Sequence, residues 1–597
     1  MAGKISFHFD DGYRSHYTEA FGVFQKFGVP GCLCLIAGEE YRGEEKGRIT
    51  TAQALEMQSA GWEILCHSRH HLHMNEVLPE EVLFTELVES KRLLEEEGYQ
   101  IRQFVTPMSQ CHPSAAKFLR AHYDGAFTVY KNSREMPVEE LVLGCPVKKY
   151  RMHRACLAGK SAEELREAVD FVAKEDEWLV FYDHDLGVKD NITVPGLEEL
   201  LAYCREKGVA VVTSSQALDE MKCTTDILQE GYDGKECFVH ARTGVCGDRI
   251  LITSQLMDVS GSDCFECLQV NYSDDGGRSW TGFAPDEAFS SLFSTVNDIK
   301  IRTICCDMTP TYHKKSGKFI VTGHQANYHV GDVVPVSSGE VPRDIPYAIF
   351  DEERKKFTPV QFLKMPDPVK YCDGGSGCSQ ILELDSGDLL IPIYFRETGD
   401  GDHSKVTVLR CSFDGETMQV LEIGDELDVP EEVRGLGEPS VIAFGGEYFL
   451  TLRADAYGYV CKGKDGLHYS APELWRWEDG EILPTYNTQS HWAVCGGKLL
   501  LVYTRRAGFN DHVFRHRAPL FVAEVDPETL RVKRETEFVA VPERGARLGN
   551  FGVCDMDGQR SLVTVTEWMQ PAGCEAYGSD NALWLSQVRL PLAKEKE

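Results

Sequence analysis

Lys4-Ile5-Ser6-Phe7-His8-Phe9-Asp10-Asp11-Gly12 decides how the first half of the chain is read. Ile5, Phe7 and Phe9 alternate with Ser6 and His8, the period of a strand, and two carboxylates followed by glycine close it with a turn. The strand is expected over Lys4–Asp10. Further β-rich runs follow at Gly31–Ile36, Trp62–Cys66, Arg102–Thr106, Gly125–Tyr130, Trp178–His184 and Val209–Thr213. Helical patterns lie between them. Pro79–Glu97 opens on proline and stops before Gly98, Ser161 and Glu164 form a capping box ahead of Ala162–Lys174, and Pro195–Lys207 ends before Gly208. Strand and helix in alternation predict an α/β domain whose sheet is largely parallel, as a layer or a distorted (β/α) barrel, over residues 1–223.

Beyond a polar stretch at 224–237, read as a linker, the helical pattern stops. Residues 238–597 instead carry strand pairs around tight turns such as Asp275-Gly276-Gly277, Asp385-Ser386-Gly387, Lys464-Asp465-Gly466 and Asp557-Gly558. They group into six similar units, beginning near Val239, Thr309, Ser379, Glu438, His491 and Gly549. An all-strand repeat of that length predicts a six-bladed β-propeller, with a β-sandwich as the plainer alternative.

The 597 residues are 42% hydrophobic and 26% charged, enough for more than one core, and the net charge of −32 speaks against a general nucleic-acid or anionic-membrane surface. Met1-Ala2-Gly3 leads straight into the first strand and no long apolar run occurs, so as written the chain is expected to be cytoplasmic and not membrane-bound. Its 21 cysteines, an odd number scattered through apolar runs, read as reduced core residues. Cys264-Phe265-Glu266-Cys267 has no second pair with which to build structural zinc.

Chemistry-bearing residues follow three of the expected strands: Asp10-Asp11-Gly12, His67-Ser68-Arg69-His70-His71 and Asp183-His184-Asp185. In parallel α/β architectures the loops after the strands converge on one cleft. An aspartate and two histidines four apart suit zinc or a similar divalent ion, beside a second carboxylate able to take a proton. Taken singly, Asp-Asp-Gly is a common turn and His-x-x-x-His a chance pair; their order and placement carry the reading. His8, between two Phe residues expected to face inward, reads as a sheet-face side chain, and His70 and His73 as solvated loop residues.

His8-Phe9-Asp10-Asp11-Gly12 and His67-Ser68-Arg69-His70-His71 resemble the Thr-Phe-Asp-Asp-Gly and His-Ser/Thr-x-x-His motifs of the polysaccharide deacetylases, carbohydrate esterase family 4 or the NodB-homology domain. Leu179-Val180-Phe181-Tyr182-Asp183-His184 is similar to that family's last motif. The resemblance spans about the first 220 residues of the chain. It implies Asp11, His67 and His71 as ligands of Zn²⁺ or another divalent metal, Asp10 as general base, His184 as general acid, and hydrolysis of an acetyl group from an acetylated sugar. The third motif, Arg-Pro-Pro-Tyr in the family, reads Thr106-Pro107-Met108-Ser109 here. Either another arginine, such as Arg14 or Arg69, is then expected to supply that charge, or Asp10 has a different pKa and the rate or substrate differs; whether Asp183 or Asp185 orients His184 is open.

In the second half, Ser273-Asp274-Asp275-Gly276-Gly277-Arg278-Ser279-Trp280 matches the Asp box and, with six units, resembles the sialidase-like propellers. The resemblance implies a glycan-binding or glycosidase face, with Arg302, Arg396, Glu438, Arg453, Tyr486, His491, Arg505 and Arg547 as its candidate substrate-binding residues. A carbohydrate is the expected partner and nucleic acid is not. A glycan-binding or glycosidic propeller beside an inactive deacetylase domain is the alternative function.

Overall fold

The computed structural model describes residues 3–590 apart from 134, 176, 262, 337–340 and 398–400. The ends of the two expected domains, residues 1–2 and 591–597, lie outside the described residues. The chain divides into two compact units, 1–224 and 225–597.

In the first unit the strands Trp178–Asp183, Lys4–Phe9, Cys32–Leu35, Glu63–Cys66, Ile101–Val105 and Gly125–Val129 lie side by side in that order, all parallel. Residues 152–156 nearly close the ring. Met152 and His153 pair with Phe127 and Val129 at one edge, while Ala155 and Cys156 pair with Phe181 and Tyr182 at the other. The expected barrel is thus a nearly closed sheet, stitched by two two-residue strands with Arg154 between them.

Strand alternation sorts the side chains. Ile5, Phe7 and Phe9 join the core under the helices with Phe24 and Trp62, whereas Cys32, Cys34, Leu65, Val105, Phe127 and Val180 make a separate core on the other face of the strands. Ser6 and His8 share that second face, where Trp178 Nε1 donates to Ser6 Oγ at 3.0 Å and the His8 ring meets Phe127 edge-on at 4.8 Å. The expectation for the two Phe residues is therefore inverted: His8 faces inward and its neighbours face the helices, because the outer helical layer needs the larger apolar area. The helix expected over Pro79–Glu97 runs from Glu80 to Glu96 with a π-type turn at Phe84–Glu89. Val194–Lys207 is capped by Thr193, whose hydroxyl accepts from Gly196 N.

Among the described residues the second unit holds six largely antiparallel sheets, with one parallel pair, Arg476–Trp477 beside Arg531–Val532. The innermost strands of successive sheets touch in a ring: Glu236–Cys246 meets Ile299–His313, Lys318–His329 meets Asp373–Gly375, Leu389–Arg396 meets Gly437–Phe444, which meets His491–Cys495, which meets Gly552–Asp555, which returns to Glu236–Cys246. That closure makes a six-bladed propeller. The strand Cys223–Gln229, hydrogen-bonded beside Leu583–Arg589 in the last sheet, takes up the first residues of the stretch 224–237 read as a linker. Its turn residues hid a β-branched run, Thr224-Thr225-Asp226-Ile227, that supplies this blade's outer strand. The Ser273–Trp280 turn is tied down by Asp275, which accepts from Ser279 N at 2.9 Å, while Trp280 Nε1 donates to Gly277 O at 3.0 Å. All cysteines are free thiols. No helix among the described residues is long and apolar enough to cross a membrane.

Candidate functional site

The first strand ends at Phe9, and the turn that follows places Asp10 and Asp11 at its C-terminal edge with Asp11 at φ 71°. Gly12 continues at φ 64°, where a Cβ would lie 2.9 Å from Leu35 Cδ2, so only glycine fits there comfortably. After Glu63–Cys66, Ser68 and His71 also adopt left-handed backbone, at φ 62° and 55°. Such strain in non-glycine residues gathers where a site fixes side chains. A buried carboxylate shapes this second loop: Glu86 accepts from the backbone N–H groups of Arg69 and His70 at 3.0 and 2.9 Å, and its other oxygen lies 2.6 Å from His70 Nδ1. His70, expected to be solvated, thus has a structural partner.

The result brings Asp11, His67 and His71 together with one donor atom from each within 4.8 Å of the others. His67 Nε2 is 3.5 Å and His71 Nε2 3.2 Å from Asp11 Oδ1. His67 Nδ1 donates to Val105 O at 2.8 Å, which leaves the Nε2 lone pair facing Asp11. Burial pushes the His67 imidazole below its ordinary range, favouring this neutral form. Asp11 Oδ1 is buried and accepts no well-formed hydrogen bond. One carboxylate oxygen and two imidazole nitrogens on a single point fit zinc or a similar divalent ion.

Asp10 is 3% exposed, and Arg154 grips it with both arms of the guanidinium, NH1 to Oδ1 at 2.7 Å and NH2 to Oδ2 at 3.0 Å. Burial alone would raise the Asp10 carboxyl; Arg154, then His67, overcome it and hold the group well below the carboxylate range. His184 also lies near enough to favour the ionised carboxylate. Neither arginine expected to orient Asp10 does so: Arg14 is exposed and Arg69 bonds Glu89 at 2.8 Å. The arginine on Asp10 comes instead from between the two short strands that nearly close the ring. Nor does Asp183 or Asp185 bond the His184 ring. Asp183 accepts from His184 N at 2.9 Å and Ile192 N at 2.7 Å, Asp185 accepts from Ser15 Oγ at 2.6 Å, and His16 Nε2 donates to His184 O at 2.9 Å. These bonds shape the loop that carries His184.

The second unit has a cavity of about 780 Å³ at the inner ends of its blades. His240, Asp307 and Glu438 line it from bulges in three inner strands, at φ 57°, 52° and 43°, each where the ladder register slips. Of the residues expected to bind substrate, Arg396, Glu438, Arg453 and Arg547 line this cavity. The other four do not. Arg302 is turned onto Glu266 at 3.0 Å, Arg505 onto Glu537, and Tyr486 lies beneath Arg506, whose guanidinium is 4.0 Å from its ring. His491 is 2% exposed, fixed by Ser440 Oγ and Phe551 O. Strand-end position alone does not separate channel-facing residues from those turned into an ion pair or the core.

Charge in the cavity is uneven. Arg453 pairs with Glu438, Arg434 with Asp455 and Arg343 with Asp373, but Arg517, 3% exposed, donates to the backbone oxygen of Asn487 and makes no ion pair among the described residues. Arg547, 8% exposed, bonds Gln570 and lies over Trp568 at 3.7 Å, with its Nε unsatisfied. Burial, then neighbouring arginines, pushes the Arg517 guanidinium well down, and burial takes Arg547 to about 10. Cys306 also clusters with the cavity-lining Asp307 and His324, but Arg242 NH2 at 2.9 Å already neutralises Asp307, which disfavours a cation.

Residues 2–122 match the polysaccharide deacetylase family model. Over 92 residues the chain is 32% identical to "Putative polysaccharide deacetylase YxkH" of Bacillus subtilis (strain 168), a match covering 15% of this chain and 32% of that protein. The chain thus spans about a third of the length of this curated relative. Among solved structures it is similar to a protein of unknown function from Dyadobacter fermentans DSM 18053 (13% identity, 61% of this chain and 99% of that one, TM-score 0.44). It is also similar to a Trypanosoma rangeli sialidase (14%, 59% and 55%, 0.43) and to a CE4-family pseudoenzyme of Bacillus anthracis (14%, 37% and 66%, 0.27).

Proposed function

We propose, from the premise that residues 2–122 carry a polysaccharide deacetylase domain, that this chain hydrolyses acetyl groups from an acetylated amino sugar or oligosaccharide. The catalytic part would be residues 1–223 and the glycan-holding part the propeller at 238–597. Asp11, His67 and His71 would hold a zinc or similar divalent ion, which supplies an acidified water and a polarised acyl carbonyl. Asp10, ionised and held by Arg154, accepts the proton of the attacking water. His184, on the loop shaped by Asp183 and His16, delivers a proton to the departing amine or alkoxide. Arg154 fixes both oxygens of Asp10, so the base meets its water in one orientation. The observation that carries this reading is the buried, unsatisfied Asp11 Oδ1 facing two imidazole nitrogens.

In the propeller cavity, Arg517 and Arg547 have no carboxylate partner among the described residues, which suits a sugar bearing a carboxylate. Acetate release from N-acetylated chitooligosaccharides by the zinc-loaded full chain tests the hydrolytic reading. Activity that disappears in Asp10→Asn and His184→Ala supports it; acetate release that both variants retain refutes it.

A further inference from the structure

We infer that His8 is a positioning residue that holds Arg154, and through it Asp10, in the barrel cleft. The inference rests on the hydrolytic reading above and deepens it.

Two departures from the deacetylase motifs, His8 in place of threonine and the missing third-motif arginine, meet in space. His8 Nδ1 lies 3.5 Å from Arg154 NH1, the same nitrogen that reaches Asp10 Oδ1 at 2.7 Å. On its other side His8 Nε2 lies 2.6 Å from Ser214 Oγ. A guanidinium only donates, so His8 Nδ1 must be bare and Nε2 must carry the hydrogen that Ser214 accepts. The assignment uses both ring nitrogens, and the edge-on contact with Phe127 fixes the ring plane.

Burial, then Arg154, pushes the imidazole well below its usual range, in keeping with a neutral ring. His8, Ser214 and Arg154 are 1%, 0% and 4% exposed, so water does not compete. Ser214 is itself rigid, the first residue of a helix over Ser214–Asp219 that Thr213 and Gln216 close with a capping box. A cationic His8 would repel Arg154, and an apolar side chain would remove the lone pair that His8 Nδ1 offers to NH1. The inward face of one strand thus carries a support for the arginine, and the turn at that strand's end carries Asp10, the base the arginine orients.

Two substitutions separate positioning from bulk structure. His8→Asn keeps an acceptor near the Nδ1 position, and His8→Leu removes it. In the zinc-loaded full chain, His8→Leu is expected to lower kcat for acetate release about tenfold or more, with KM and zinc content unchanged. His8→Asn is expected to restore most of that loss. Wild-type kcat in His8→Leu, or an Asn variant as slow as the Leu variant when both melt cooperatively, overturns the inference. ¹⁵N spectroscopy of histidine-labelled protein, with the His8→Asn variant assigning the signal, gives an arm independent of turnover. It should report a bare Nδ1 and a protonated Nε2; the opposite tautomer or an imidazolium at pH 7 overturns the proposal. If the wild type releases no acetate, the hydrolytic reading falls, and the tautomer alone decides whether His8 supports Arg154.

Discussion

The barrel cleft and the propeller cavity are both built from carboxylates, imidazoles and arginines on strained backbone, yet their charges are balanced in opposite senses. In the cleft Asp10 is engaged by Arg154 through both its oxygens, and the buried atoms left without a partner include a carboxylate oxygen, Asp11 Oδ1. In the cavity the buried carboxylate Asp307 is engaged by Arg242, and the buried atoms left without a partner are nitrogens, the guanidinium Nε of Arg547 and the imidazole Nδ1 of His240 and His324 among them. Because a buried charge without a partner is costly, the sign of the leftover charge indicates the ligand: a cation for the first, an anion for the second. Residue composition alone would not distinguish them.

The largest effect that would break this contrast concerns Asp10. Asp10→Asn should reduce acetate release by about 10²–10⁴-fold while binding of a uronic-acid oligosaccharide, followed by calorimetry, stays at its wild-type value. Parallel loss of both would mean the regions do not act separately. Next comes Arg154→Met, which strands a buried carboxylate and should destabilise the first unit by about 3–5 kcal/mol in urea unfolding. Adding Asp10→Asn should recover part of that loss, and strict additivity would contradict the pairing.

Asp307→Asn should cost the second unit about 1–3 kcal/mol at pH 7. Burial alone would raise the Asp307 carboxyl, but His240 and Arg242 hold it well below the usual range. A depressed folded pKa gives stability that is present above the unfolded value of about 3.9 and lost as pH falls below it. The gap between wild type and Asp307→Asn should therefore shrink between about pH 5 and pH 3; a constant gap would remove the electrostatic explanation. The smallest effect has the opposite sign. Arg517→Met removes a buried cation and should raise stability by about 1 kcal/mol while weakening binding of the uronic-acid oligosaccharide. A destabilised variant with unchanged binding would show Arg517 to be structural.

Much of this contrast was legible in the sequence where chemistry is local. Asp10-Asp11 and His67-x-x-x-His71 each lie within one turn or loop, and strand alternation placed both at the same edge. Six Gly-rich repeats likewise announced six blades. Arg154 was not legible, because it is 144 residues from Asp10 and sits between two-residue strands with no motif of their own. Nor could spacing show which propeller arginines face the cavity. Arg302 and Arg505 read like Arg453 in sequence, but Glu266 and Glu537 turn them aside, and those acids come from other strands or turns. Arg515 and Arg517 lay in a stretch conspicuous only for its polarity, while the cavity-lining His240 and Asp307 owe their orientation to bulges invisible before pairing is known.

The central claim is that Asp11, His67 and His71 hold one divalent ion beside Asp10. Calorimetric titration of Zn²⁺ into the metal-free full chain tests it most directly. The account predicts one tight site per chain that disappears in His67→Ala and Asp11→Ala yet persists in Asp307→Asn. A site that survives the first two substitutions, or no tight site in the wild type, would contradict it.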